Sequence, residues 1–184
     1  MLRSSLALGL LVTLLIPSPF MTAEQAKPAP NPILVLDTAK GVIEIELFQA
    51  ESPKSVGQVL TLVGRNFYRN QRVHWVQPGV IQFGDPQTRD MTKQYNWGLG
   101  GSGRPVNVFE ATKRPFVRGS VGLAYRSGEK PTTADSQIFI LRLANPAMNG
   151  KYAMLGRVTK GLDVVDKITQ NDVVKNLTPK PAAP

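Results

Sequence analysis

The 184-residue chain has no cysteine. That excludes disulfides, thiolate metal sites and a cysteine nucleophile, and it is compatible with any redox compartment. There is a single histidine, His74, so no metal site can be built from several imidazoles. A Ser-His-Asp constellation would have to use His74, and no nucleophile-elbow sequence accompanies it. The glycine-rich run Gly98 to Gly103 lacks the Lys-Ser/Thr of a phosphate loop and reads as a flexible or tightly turned loop. No pair of carboxylates stands out for hydrolysis, and no internal repeat is visible. Nothing calls for a metal or a cofactor. The 22 Lys+Arg against 13 Asp+Glu give a formal charge of +9. These basic residues are scattered and not interleaved with aromatics. The charge therefore reads as general solubility and attraction to anionic surfaces, and no nucleic-acid partner is expected.

The two ends of the chain differ from its middle. Arg3 precedes the apolar run Leu6 to Ile16, which is short for a membrane span and of signal-peptide length, with Ala23 and Ala26 as small residues suited to cleavage. Residues 1–23 are expected to be a signal peptide; a retained anchor is the alternative. Residues 24–32, rich in proline, read as an extended linker. Residues 33–172 form the expected folded domain, and 173–184 a Pro-rich tail. This organisation implies export to the periplasm or a comparable compartment, with no stable membrane insertion once the leader is removed.

Within the domain, Ile33 to Leu36 and Gly41 to Leu47 are strand-like. The second alternates Ile43, Ile45 and Leu47 with Val42, Glu44 and Glu46, the period of a half-buried strand. Lys40-Gly41 marks a hairpin turn. Ser52-Pro53 opens a helix with Ser as N-cap and Pro at its first position. Val56, Val59, Leu60 and Val63 give that helix one apolar face, and Gly64 ends it. Short strands are expected at Val73 to Val76, Val80 to Phe83, Val121 to Ala124, Gln137 to Leu141 and Met154 to Val158, with a second helix at Leu162 to Ile168. Many short strands with two helices point to a mostly β fold, a barrel capped by helices.

An ordered set of short segments discriminates further. Gly41-Val-Ile-Glu-Ile-Glu-Leu-Phe48 is followed by Pro53-Lys54-Ser55-Val56, Asn66-Phe67-Tyr68, Val73-His74, Pro78-Gly79 and Gln82-Phe83-Gly84-Asp85-Pro86. Gly119-Ser-Val-Gly-Leu-Ala124, Ser136-Gln-Ile-Phe-Ile140, Asn149-Gly-Lys-Tyr152 and Leu155-Gly-Arg-Val158 come later. In this order they resemble the cyclophilin family of peptidyl-prolyl isomerases, over roughly Ile33 to Ile168. The resemblance implies an eight-stranded antiparallel β-barrel closed by two α-helices. It also implies an enzyme that works as a monomer on proline-containing segments of unfolded or flexible proteins, assisting the folding of exported proteins.

The resemblance also implies site residues. Gln82 matches the glutamine that holds the peptide backbone, and Phe139 the aromatic floor under the proline ring. Ala124 matches the small residue beside the substrate backbone, and Met148 an apolar wall. Tyr152 falls where relatives carry His or an aromatic, and Val80 near a wall position. The catalytic arginine of the family pattern Phe-His-Arg is replaced, since the chain reads Val73-His74-Trp75. Trp75 takes its place, with His74 the alternative if the alignment is counted back from Gln82. Arg72 is one residue out of phase with the pocket face and expected to be solvated. The segment Pro78 to Gln82 looks one residue short, and Ala147 stands where a Trp or Phe is common. Two functions follow: an isomerase with weakened catalysis, or a proline-binding chaperone or scaffold module.

Overall fold

The computed structural model describes residues 30–181. The expected signal peptide, the linker as far as residue 29 and the last three residues of the tail lie outside them. Among the described residues no helix is long and apolar enough to cross a membrane.

Strands β1 (Ile33–Thr38) and β2 (Gly41–Leu47) pair antiparallel from Ile33↔Glu46 to Thr38↔Gly41. Leu34 and Leu36 of β1 and Ile43, Ile45 and Leu47 of β2 are buried, as alternation requires. Helix α1 (Pro53–Gly64) buries Val56, Val59, Leu62 and Val63, with Leu60 packed partly against the same core. Ser52 precedes α1 but does not cap it with its side chain. Its buried hydroxyl donates to the carbonyl of Met154 at 2.8 Å. The free helical N–H groups of Lys54 and Ser55 donate instead to the Glu110 carboxylate, at 2.8 and 2.7 Å. A carboxylate distant in sequence thus does the work expected of Ser52.

The remaining strands are β3 (Gln71–Arg72), β4 (Trp75–Gln77), β5 (Val80–Phe83), β6 (Ser120–Leu123), β7 (Ile138–Leu141), β8 (Ala153–Lys160) and β9 (Val173–Pro179), with α2 (Leu162–Lys167) between the last two. They form one curled nine-stranded sheet in the order β3-β9-β1-β2-β8-β6-β7-β5-β4. Its two edge strands, β3 and β4, are successive pieces of one chain segment. Val73 between them donates to Asp172 O at 2.9 Å, and His74 donates to Gln82 O at 3.1 Å. The sheet therefore curls round on itself through residues 71–77. The expected single strand Val73 to Val76 is an interrupted one, and eight expected strands become nine.

The tail boundary at 173 requires correction, because Val173–Pro179 is strand β9, lying between β3 and β1. Val174 and Leu177 are its buried residues, three positions apart, because the β1–β9 register shifts between Asp37 and Thr38. A bulge breaks the period of two that sequence reading relies on. The barrel interior is filled by Leu34, Leu36, Ile43, Ile45, Ile81, Phe83, Val121, Leu123, Ile138 and Ile140, closed by α1 and Val165 of α2.

Candidate active site

The outer face of the sheet carries a row of directly opposed residues. Trp75 faces Gln82 across β4–β5, Gln82 faces Phe139 across β5–β7, and Phe139 faces Gly122 across β7–β6. Strand alternation forces this separation of faces: Ile81 and Phe83 point into the barrel, and Val80 and Gln82 point out. On β7 both faces are apolar. Ile138 and Ile140 join the barrel core, while Phe139 and Leu141 join a second cluster with Phe48, Phe116, Ala124 and Met154, flanked by Val80, Met148 and Tyr152.

Gly122 makes room for the floor of this region. A Cβ there would stand 2.2 Å from Cζ of Phe139, so the ring lies where any other residue would place its side chain. Phe116 lies 5.8 Å from the Phe139 ring, and Tyr152 meets it edge-on at 5.3 Å. Tyr152 in turn packs 4.8 Å from Tyr125. Burial, together with the neighbouring Tyr125, pushes the Tyr152 phenol upward, so its hydroxyl is neutral at ordinary pH.

Above this floor opens a cleft of about 970 Å³. All eight residues singled out from the sequence line it: His74, Trp75, Val80, Gln82, Ala124, Phe139, Met148 and Tyr152. Arg72 is not among its lining residues. Half-buried rather than solvated, Arg72 donates through Nη1 to Asn171 O at 3.0 Å.

Gln82 is held in a defined orientation. Its Nε2 donates to Oε1 of Gln137 at 2.7 Å. Gln137 is oriented in turn by donating Nε2 to the carbonyls of Gly98 and Gly100, at 2.8 and 2.7 Å. The N–H groups of the same two glycines donate to Asp85 Oδ2, at 2.7 and 2.9 Å. The glycine run is thus a tightly turned loop pinned from both sides. A Cβ at Gly100 would meet Asp85 Oδ1 at 2.3 Å, and Gly98 adopts a φ of +88°. Sequence reasoning passed over Gln137, although it sits two residues before Phe139, on the same face by strand alternation. Leu99 and Leu143 also line the cleft, and no spacing rule pointed to them.

His74 lies behind the loop, buried, with both ring nitrogens lacking a hydrogen-bond partner. Burial pushes its pKa down; the Asp85 carboxylate and the Gln137 side chain oppose this only in part. A neutral imidazole results. Trp75, next along the strand, faces the cleft and carries no charge.

The family model "Cyclophilin type peptidyl-prolyl cis-trans isomerase/CLD" matches residues 33–184. This chain belongs to the cyclophilin family. A probable peptidyl-prolyl cis-trans isomerase of Brucella suis is 38% identical over 184 residues, covering 95% of this chain and 91% of the relative. A peptidyl-prolyl cis-trans isomerase of Helicobacter pylori is 32% identical over 147 residues, covering 77% and 83%. A crystal structure of a Cryptosporidium parvum cyclophilin superposes with a TM-score of 0.71 at 23% identity, covering 83% of this chain and 99% of that one.

A cyclophilin is a peptidyl-prolyl cis-trans isomerase, and its chemistry asks little of the protein. The X-Pro bond must twist through a barrier of about 18–20 kcal/mol, since amide resonance is lost midway. An apolar floor for the ring, a group that fixes the flanking backbone and a donor for the prolyl nitrogen suffice. The cleft has an apolar floor at Phe139 and an oriented side-chain amide at Gln82. A cation is absent from the row that carries them.

Proposed function

We propose that this cyclophilin acts, as a monomer outside the cytoplasmic membrane, on proline-containing segments of exported proteins, and that it turns over slowly. Phe139, Val80, Ala124 and Met148 hold the proline ring and its backbone in this reading, Gln82 fixes the flanking peptide, and Tyr152 closes the side of the pocket. The Cryptosporidium parvum cyclophilin has also been solved in the presence of the dipeptide Ala-Pro, which supports proline segments as the ligand here. Export rests on Arg3, the apolar run behind it and the Pro-rich stretch that follows. The mature chain is expected to begin between about Ala23 and Lys27. N-terminal sequencing of the native protein checks this, and an intact Met1 in a soluble cytoplasmic fraction would overturn it.

The observation that carries slow turnover is Trp75, opposite Gln82 in the β4–β5 ladder. An arginine there would be a permanent cation with several donors, favouring the prolyl nitrogen lone pair as it develops. Trp75 offers one indole N–H and no charge. That interaction is made in the transition state, so its loss lowers turnover more than binding. Loss of one preorganised donor in other enzymes costs about 10²–10³ in rate.

Turnover on a short X-Pro peptide, measured beside a binding titration, tests the reading. Trp75→Arg should raise turnover at least severalfold. Wild-type turnover equal to that of an arginine-bearing relative would overturn slow catalysis and direct attention to His74. A second reading, a proline-binding chaperone or scaffold module, is favoured by the same pairing of an apolar floor with a missing cation. Tight binding with no turnover in either protein would establish it.

A further inference from the structure

Three large apolar side chains are left in water around the cleft. Trp75 is 53% exposed, Leu99 53% and Leu143 58%, and all three line the same cavity. They come from three separate parts of the chain, each on backbone held by hydrogen bonds. Trp75 sits in the β4–β5 ladder opposite Gln82. Leu99 is fixed between Gly98 and Gly100, whose N–H groups are both anchored on Asp85. Leu143 follows β7, and its N–H donates to Gly79 O at 3.4 Å in the turn between β4 and β5. Apolar side chains exposed on anchored backbone around the mouth of one cleft mark a contact surface.

Charge agrees with this. The chain carries +9 overall, yet among the described residues Arg126 and Glu129 are the only charged ones lining the cleft, and they lie 3.5 Å apart. The cleft is therefore neutral inside a strongly basic protein.

Resting on the proline-binding reading above, we propose that Trp75, Leu99 and Leu143 set substrate choice. They select X-Pro segments flanked on both sides by large apolar residues and reject charged flanks. Such segments are buried in folded proteins and exposed in unfolded ones. The cleft thereby distinguishes unfolded chain from the polar proline loops of a finished surface.

The test uses the full chain and hexapeptides with one central Ala-Pro bond, flanked by Leu and Phe, by Ala, or by Glu and Lys. Transferring side chains of this size out of water is expected to make the apolar-flanked peptide bind about tenfold or more tighter than the Ala-flanked one. Leu99→Ser with Leu143→Ser should bring that ratio down to about twofold. Both positions are exposed, and an unchanged unfolding midpoint confirms that the fold is intact. A wild-type ratio within twofold, charged flanks binding as well as apolar ones, or a ratio that survives the double substitution each overturns the proposal. Failure of the underlying reading looks different, because then no proline peptide binds whatever its flanks.

Discussion

The barrel interior and the cleft floor are both apolar clusters on the same sheet, and they differ in how they are closed. The interior, built around Ile43, Ile45, Ile81, Phe83 and Ile140, is sealed on every side, each of these being at most 2% exposed. The floor, built around Phe116, Phe139, Leu141 and Met154, is equally buried, but Phe139 lines the cleft. Its outer members Val80, Met148 and Tyr152 are only partly buried. The floor is a satellite core with one face left open, which in the proposed function a proline ring completes. The row Trp75, Gln82, Phe139, Gly122 shows how this is arranged: one strand alternation puts Ile81 into the sealed core and Gln82 into the open one.

The largest effects should come from truncating an aromatic in each cluster. Phe83→Ala and Phe139→Ala each remove a buried ring and are expected to cost about 3–5 kcal/mol of stability. They should part company in binding. The folded fraction of Phe83→Ala keeps its affinity for a proline peptide, and that of Phe139→Ala loses it. Urea titration followed by peptide titration in the absence of denaturant checks both halves. Equal affinities would make Phe139 a core residue only.

Gly122→Ala sharpens the comparison at lower cost. The added methyl must displace the Phe139 ring, because their atoms would otherwise lie 2.2 Å apart. Overpacking of this kind costs about 1–3 kcal/mol. The barrel core on the other face is untouched, so peptide affinity should fall while the protein remains folded.

The smallest effect is a pH dependence carried by His74. Its folded pKa is depressed by burial below the ordinary 6.5, so the unfolded chain binds the proton more readily. Stability contributed by the neutral ring is complete above 6.5 and is lost as pH falls from there through the lowered folded value. The slope is at most about 1.4 kcal/mol per pH unit. Because His74 is the only histidine, the change in urea midpoint in the upper part of this window, above the range where carboxylates titrate, reports on it. His74→Gln should flatten it.

Much of the fold was legible because it rests on local periodicity. The hairpin at Gly41, the limits of α1 from Pro53 to Gly64 and the position of β5 follow from alternation and capping rules applied to short windows. The cleft residues were legible through resemblance: alternation on β5 sets Gln82 apart from Ile81 and Phe83, but β7 is apolar on both faces, so Phe139 carries no local sign of which face it occupies. Gln137 was within reach, two residues from Phe139. Leu99 and Leu143 were not, because an exposed leucine in a loop has no pattern until the loop is folded.

By itself the amino-acid sequence determined the family, the strand and helix content of the barrel, and the absence of an arginine at positions 75, 82 and 139 of the cleft row. It did so because alternation, helix periodicity and residue identity are properties of neighbours in the chain. Only the tertiary structure decided what depends on residues far apart meeting. Glu110, not Ser52, caps α1. A bulge in the β1–β9 pairing turns an apparent tail into a strand. Asp85 and Gln137 together clamp the glycine loop that presents Leu99. Each of these is a hydrogen bond or a register between segments tens of residues apart, and closing such contacts requires the whole sheet to be in place.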